Sequence, residues 1–332
     1  MCVRKRPIFQ KEINNGEIDC ASIFNPRIFI HECKVKIDGF TKYIEDQEFL
    51  FDNVFNEEQN TSEIYKYSVY PNIDLILNGG TVTCFAYGQT GSGKTYTMKG
   101  IQQYAIDSLF EFASKKKDLK IKFYVSFFEI YGGRLYDLLN NKNKLQVLED
   151  KNHKVQIFGL EDREASNPKE MAAIIDEANS VRTTHNTVTN EVSSRSHAIC
   201  NVRIILFKIV LKLDNNDEEY GKLILVDLAG SERAQETQSN DRQRRVEGAE
   251  INKSLLSLKE CIRALDARKG GLDQHVPFRT SKLTLVLRDS FISKNDKSKI
   301  IMIACVAPNM NSTNHTINTL RYSDRLKEKS NK

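Results

Sequence analysis

The sequence predicts an α/β fold: a mostly parallel central sheet with helices on both faces. Three observations predict it: apolar runs that recur along the chain, helical spacing between them, and a glycine-rich turn between one run and a helix-compatible stretch. The runs Thr81–Tyr87, 122–129, 202–211, 222–227 and 300–306 are almost continuously apolar. Strands buried on both faces read this way, because neither face can carry polar side chains. Residues 252–266 alternate with them and have helical periodicity: Ile251, Leu255, Leu258, Ile262 and Leu265 recur at spacings of four and three, one apolar stripe. Strands alternating with helices put crossovers on the sheet faces. No Pro/Gly/Ser-rich linker divides the chain and no repeat of 20–50 residues recurs, so one large domain is expected. The segment 140–144 and the acidic 214–219 read as solvated loop tips.

Composition excludes several classes. The 332 residues are 40% hydrophobic and 28% charged, too apolar for disorder. Seven cysteines (Cys2, Cys20, Cys33, Cys84, Cys200, Cys261, Cys305) form no C-x-x-C pair, which fits reduced thiols in the cytosol better than a disulfide framework or zinc. The run 300–307 is eight apolar residues, far below the ~20 that span a bilayer. Net charge is only +5. The pI of 8.7, with no zinc spacing and no RNP-like aromatic motif, argues against nucleic acid as partner.

Gly88, Gln89, Thr90, Gly91, Ser92, Gly93, Lys94 and Thr95 match G-x-x-x-x-G-K-[ST], after a strand and before a helix-compatible stretch. Glycines let successive N–H groups turn toward phosphate oxygens, and the helix start adds positive potential. Lys94 is expected at the β/γ-phosphates and Thr95 on Mg²⁺. The run 222–227 ends in Asp227, an acid suited to hold the ion through water, and continues Leu228-Ala229-Gly230-Ser231-Glu232. Gly230 can offer its N–H to a γ-phosphate and move when that phosphate leaves. Residues 190–197 (Asn190, Glu191, Val192, Ser193, Ser194, Arg195, Ser196, His197) form a hydroxyl-rich loop before a strand, and no Asn-Lys-x-Asp supports guanine.

Together with Arg4-Lys5-Arg6-Pro7, these motifs resemble the kinesin motor domain over essentially the whole chain: R-x-R-P, the phosphate loop, N-x-x-S-S-R-S-H at 190–197 and D-L-A-G-S-E at 227–232. The resemblance implies a P-loop NTPase fold on an eight-stranded, mostly parallel sheet. It implies a motor domain over 1–329, with 330–332 at the start of a neck. ATP with Mg²⁺ and tubulin or microtubules are the implied substrate, ion and partner, in the cytoplasm. Carried over by position, Arg4, Arg6, Pro7 and Tyr96 join residues 88–95 around ATP, with Arg4, Pro7 and Tyr96 lining the adenine. Ser194 touches the γ-phosphate or a magnesium water, and Arg195 with Glu232 forms an ion pair between the two loops that closes the site.

From 240 to 289, eleven Lys/Arg face seven Asp/Glu, most of the chain's net charge. The resemblance assigns this segment to the face that meets acidic tubulin, with Lys259, Glu260, Cys261, Arg263, Arg279 and Lys282 as contacts. Within the family the chain is similar to the microtubule-depolymerising kinesin-13 motors: Lys36-Ile37-Asp38 stands for their Lys-Val-Asp finger, and Lys259-Glu260-Cys261 and Asp241-Arg242-Gln243 also fit. Ser231, where those motors usually carry Asn, and Gly39 depart from the pattern. Depolymerisation from microtubule ends is the implied activity. A directional walker, recognised by gliding without polymer loss, and a catalytically dead binding module, recognised by no microtubule-stimulated phosphate release, are the alternatives.

Overall fold

The computed structural model describes residues 1–116, 119–151, 154–184, 192–208, 219–232, 242–269, 271, 274–292 and 297–327. In chain order, β1 (Cys2–Lys5) and the short α1 (Gln10–Asn14) precede β2 (Ala21–Phe24), β3 (Arg27–Val35), β4 (Lys42–Leu50) and β5 (Asn53–Phe55). Helices α2 (Thr61–Ser68) and α3 (Ile73–Ile76) lead to β6 (Thr81–Tyr87) and the long α4 (Lys94–Lys115). Five strands follow: β7 (Leu119–Tyr131), β8 (Arg134–Asp137), β9 (Lys144–Glu149), β10 (Val155–Phe158) and β11 (Arg163–Ala165). Next come α5 (Pro168–Thr184), α6 (Val192–Arg195), β12 (His197–Lys208) and β13 (Glu219–Asp227). The chain continues through α7 (Arg242–Lys269), α8 (Lys282–Phe291), β14 (Ser298–Val306) and α9 (Thr313–Asp324).

The α/β class is as expected, but the sheet is mixed rather than mostly parallel and wider than eight strands. Among the described residues, eleven strands join in the order β10-β9-β8-β7-β12-β13-β6-β14-β1-β5, with β11 on β7. From β13 to β5 all pairs are parallel, and from β10 to β13 all are antiparallel. Connection length explains the antiparallel half where it can be followed. Only Gly132 and Gly133 separate β7 from β8, and a parallel neighbour needs a crossover of a dozen residues or more. Strands β2, β3 and β4 form a separate three-stranded sheet.

Period-two alternation along β6 divides the core in two. Val82, Cys84 and Ala86 pack with Ile101 and Leu109 of α4, Ile64 of α2 and Met171 of α5. Phe85 and Tyr87 face the other way, onto Leu255 and Leu258 of α7 and Leu283 and Leu287 of α8. This two-sided burial carries the phosphate-loop strand through the middle of the molecule. The buried stripe of α7 is rotated from the expected one: Leu255, Leu258, Cys261 and Ala264 are buried, whereas Ile251, Ile262 and Leu265 are only partly so. The segment 140–144 is not simply solvated either, because Lys142 returns to the buried Glu129 at 2.9 Å. The acidic 214–218 lie outside the described residues.

Leu258 is fully buried between α7 and the sheet. Leu258→Ala is expected to lower unfolding free energy by about 2–5 kcal/mol, the cost of lost transfer plus a residual cavity. A drop in urea midpoint at unchanged slope checks this, and a loss below ~1 kcal/mol contradicts it.

Candidate active site

Strand β6 ends at Tyr87 and α4 begins at Lys94, so Gly88–Gly93 must reverse the chain in six residues. Gly88 has φ +150°, and a Cβ there would stand 2.2 Å from the Cys305 carbonyl oxygen of β14, so only glycine fits. The Lys94 ammonium donates to the Gln89 carbonyl at 2.8 Å, as does the Ser92 hydroxyl. Burial pushes the Lys94 pKa below its ordinary value, while the Asp227 and Glu232 carboxylates pull it up. A buried ammonium on a neutral carbonyl is poised to exchange it for a phosphate oxygen, a stronger charge-assisted acceptor. Arg6 braces the turn from outside: its Nε donates to the Gly91 carbonyl at 2.7 Å, and Glu12 holds the guanidinium at 2.8 Å.

Parallel register pairs Asp227 with Ala86, which brings the last residue of β13 beside the end of the phosphate-loop strand. Its Oδ2 accepts from the Thr95 hydroxyl at 2.7 Å and from Arg182 at 2.5 Å. Its Oδ1 is buried and has no hydrogen-bond partner among the described residues. That orphaned oxygen beside a hydroxyl suits Mg²⁺, which takes hard oxygen ligands and keeps several waters, using one or two carboxylates plus phosphates. Thr95 and Asp227 would hold the ion, and a bound ion would neutralise charge on the β- and γ-phosphates.

Arg182 belongs to no motif, yet the sequence carried a signal for it. On α5 it follows the buried Met171, Ile175 and Ala178 at spacings of four, three and four. A cation on an apolar helical stripe must find a buried acid.

The two loops expected to sense a γ-phosphate already touch. The Gly230 N–H donates to the Ser194 carbonyl at 2.7 Å and the Ser231 N–H to the Gly88 carbonyl at 3.1 Å. The expected Arg195–Glu232 pair is not formed. Glu232 instead accepts from the Thr90 backbone N–H at 2.9 Å and from the Thr90 hydroxyl. Arg195 turns to Glu247 of α7 at 3.2 Å, and Glu247 also accepts from the Tyr131 hydroxyl at 2.7 Å. Each member of the expected pair has a nearer partner in this arrangement. Asn190, Glu191 and Asp241 lie outside the described residues.

On the expected adenine side, Pro7 and Tyr96 are exposed but Arg4 is not. Its guanidinium is buried, donates to Thr97 at 2.8 Å and Thr61 at 3.0 Å, and lies 5.0 Å from the Tyr96 ring centre. Arg4 therefore packs against Tyr96 from its buried side.

The expected tubulin contacts divide similarly. Glu260, Arg263 and Lys282 are exposed, as are Lys36, Ile37 and Asp38 between β3 and β4. Cys261 is 0% exposed and packs into the core, so it cannot touch a partner, and burial pushes its thiol up to about 12. Lys259 sits 5.9 Å from the Tyr322 ring centre, its pKa lowered by burial and by Arg325 and Arg263. Arg279 is held by both oxygens of Glu149 at 3.0 Å, and Glu149 also binds Arg288 at 2.6 Å.

A phosphate loop at the end of a parallel strand, a strand-end carboxylate beside its threonine and two segments in contact define a P-loop nucleoside triphosphatase. The family model of the kinesin motor domain matches residues 4–329. A solved structure described as a fast kinesin is 31% identical over 98% of this chain and 90% of that one, with a TM-score of 0.81. The chain belongs to the kinesin motor-domain family, and its enzymatic activity is that of a microtubule-stimulated ATPase.

Removing Arg182 strands a buried carboxylate. Arg182→Ala is expected to lose about 3–5 kcal/mol of stability, and adding Asp227→Asn to recover part of it. Thermal unfolding of both variants checks the pair, and a double variant less stable than Arg182→Ala contradicts it.

Proposed function

We propose that this motor removes tubulin from microtubule ends, by holding the curved dimer more tightly than the straight lattice when ATP is bound. The observation that carries the proposal is the tip joining β3 and β4. Ile37 is 109% exposed and Phe40 89%, beside Lys36 and Lys42. Burying a side chain of this size against a partner contributes about 1.5–3 kcal/mol, so two apolar groups left in water describe a surface made for contact.

The tip is ordered locally. The Asp38 carboxylate accepts from the backbone N–H groups of Phe40 and Thr41, both at 2.9 Å, and from the Thr41 hydroxyl at 2.5 Å, which lowers its pKa. Gly39, at φ +77°, closes the turn through its N–H to the Lys36 carbonyl at 3.0 Å. Glycine at this position thus suits a rigid finger, and Asp38 acts by shaping it while Lys36 supplies charge.

In the proposed cycle, Lys94 and the turn N–H groups bind the triphosphate, with Thr95, Asp227 and Ser194 on the magnesium side. Gly230 trades its Ser194 contact for the γ-phosphate, Glu232 leaves Thr90, and Arg195 leaves Glu247 to meet it. Catalysis of phosphoryl transfer is largely positioning and charge stabilisation, which such a closure provides. Because Glu247 belongs to α7, the exchange also removes one tie, beside that of Tyr131, from the helix that carries Lys259, Glu260 and Arg263 toward tubulin, with Arg279 and Lys282 beside it. Tubulin shifts toward the curved state only by as much as the two affinities differ. A second reading, an ATP-driven walker, is favoured by Ser231, where this chain resembles stepping kinesins.

Stabilised microtubules imaged with a nonhydrolysable ATP analogue and then ATP test the proposal. End shrinkage is expected, reduced at least tenfold by Lys36→Ala with Asp38→Ala. Gliding at constant polymer length favours the walker, and unimpaired shrinkage by the variant refutes the finger assignment. Salt gives a second check: microtubule affinity is expected to fall as the Debye length shortens from ~10 Å at 0.1 M salt, and salt-independent binding contradicts the charged face.

A further inference from the structure

Between the loop that follows β13 and the middle of α7 lies one buried imidazole whose two nitrogens are both engaged. His197 opens β12, with its backbone fixed opposite Ile130 of β7. Its Nδ1 accepts from the Ala229 backbone N–H at 3.0 Å, and its Nε2 meets the Ser254 hydroxyl at 2.8 Å. Ala229 immediately precedes Gly230, and Ser254 lies on the buried side of α7.

Two independent constraints fix the proton. A backbone N–H can only donate, so Nδ1 must be bare. The single proton of the Ser254 hydroxyl is directed to the Ile251 carbonyl at 2.7 Å, so its oxygen accepts from Nε2–H. Hydrogen bonds therefore run one way, from α7 serine to its own helix backbone, from imidazole to serine, and from loop to imidazole. Burial and the neighbouring Arg182 push the His197 pKa down to about 3, which keeps the ring neutral.

We propose that His197 is a positioning residue that couples the Ala229–Gly230 loop to α7. When a γ-phosphate draws Gly230 away from Ser194, Ala229 cannot move independently. Either the imidazole turns with it and carries Ser254, or a buried nitrogen loses its partner. Neutral histidine suits this work because its acceptor and donor lie on opposite sides of a rigid ring, and an amide offers both from one end. The coupling applies to a stepping motor and a depolymerising motor alike, and it rests only on the assignment of α7 to the track face.

The test measures ATP turnover with and without saturating microtubules, using Ser254→Ala, His197→Asn and the double variant. Ser254→Ala is expected to reduce the ratio of stimulated to basal turnover about threefold to tenfold, the worth of one hydrogen bond, with basal turnover unchanged. His197→Asn is expected to reduce the same ratio, and the double variant to lose no more than the larger single loss. Parental stimulation in Ser254→Ala, or additive losses in the double variant, overturns the proposal. If His197→Asn fails to fold, imidazole ¹⁵N shifts of the unmodified chain decide: a protonated Nε2 is expected, and a protonated Nδ1 overturns the relay. Arg263→Ala separates the underlying assumption, since a microtubule half-saturation unchanged by it contradicts the track face, whereas the turnover ratio of Ser254→Ala reads the relay itself.

Discussion

The Asp227 carboxylate, at the end of β13, is the interaction on which the site depends. One oxygen is shared by Thr95 and Arg182, and the other is buried and unmatched among the described residues. Buried charge is tolerated only when paired, so Asp227 and Arg182 hold β13, the start of α4 and the end of α5 in one arrangement. The remaining half of the carboxylate is unsatisfied until something positive arrives. A bound Mg²⁺ would supply that charge, with Asp227 and Thr95 as the residues that would hold it.

From this point outward the contacts become progressively easier to exchange. Lys94 rests on a neutral carbonyl, Glu232 on Thr90, and Gly230 on the Ser194 carbonyl. Each is a polar group satisfied by a weaker partner than a phosphate oxygen or an opposite charge. Arg195 and Glu247 carry the same logic to α7, which is tied there to α6, a short helix where the sequence reads as a loop. In the proposed cycle the nucleotide would shift α7 while the buried strands β6 and β13 beneath it keep their places.

How legible this was depends on whether a feature is local. Strand β6 was read at its true limits because glycines bound it and both of its faces are buried, so its periodicity is self-contained. The phosphate loop was equally plain, since the turn and its helix lie within eight residues. Pairing direction is not legible: β7 and β12 are apolar runs of the same kind as the parallel β13, β6 and β14, and their partners are chosen by the whole sheet. Cys261 was misjudged because a small rotation of the α7 stripe carries it from the surface into the core. Arg195 and Glu232 were matched by motif, but which acid a guanidinium finds depends on α7 and Thr90, far away in sequence. Arg182 stood in view on an apolar stripe, and only its partner was hidden.

The proposed work of the molecule is a difference in grip between bent and straight tubulin. Its most direct measurement compares dissociation constants for unpolymerised tubulin dimers and for stabilised lattice, with a nonhydrolysable ATP analogue bound. The account predicts at least tenfold tighter binding to the dimer, about 1.4 kcal/mol, and loss of that preference with ADP. Equal affinity, or tighter binding to the lattice in the ATP-like state, would contradict it.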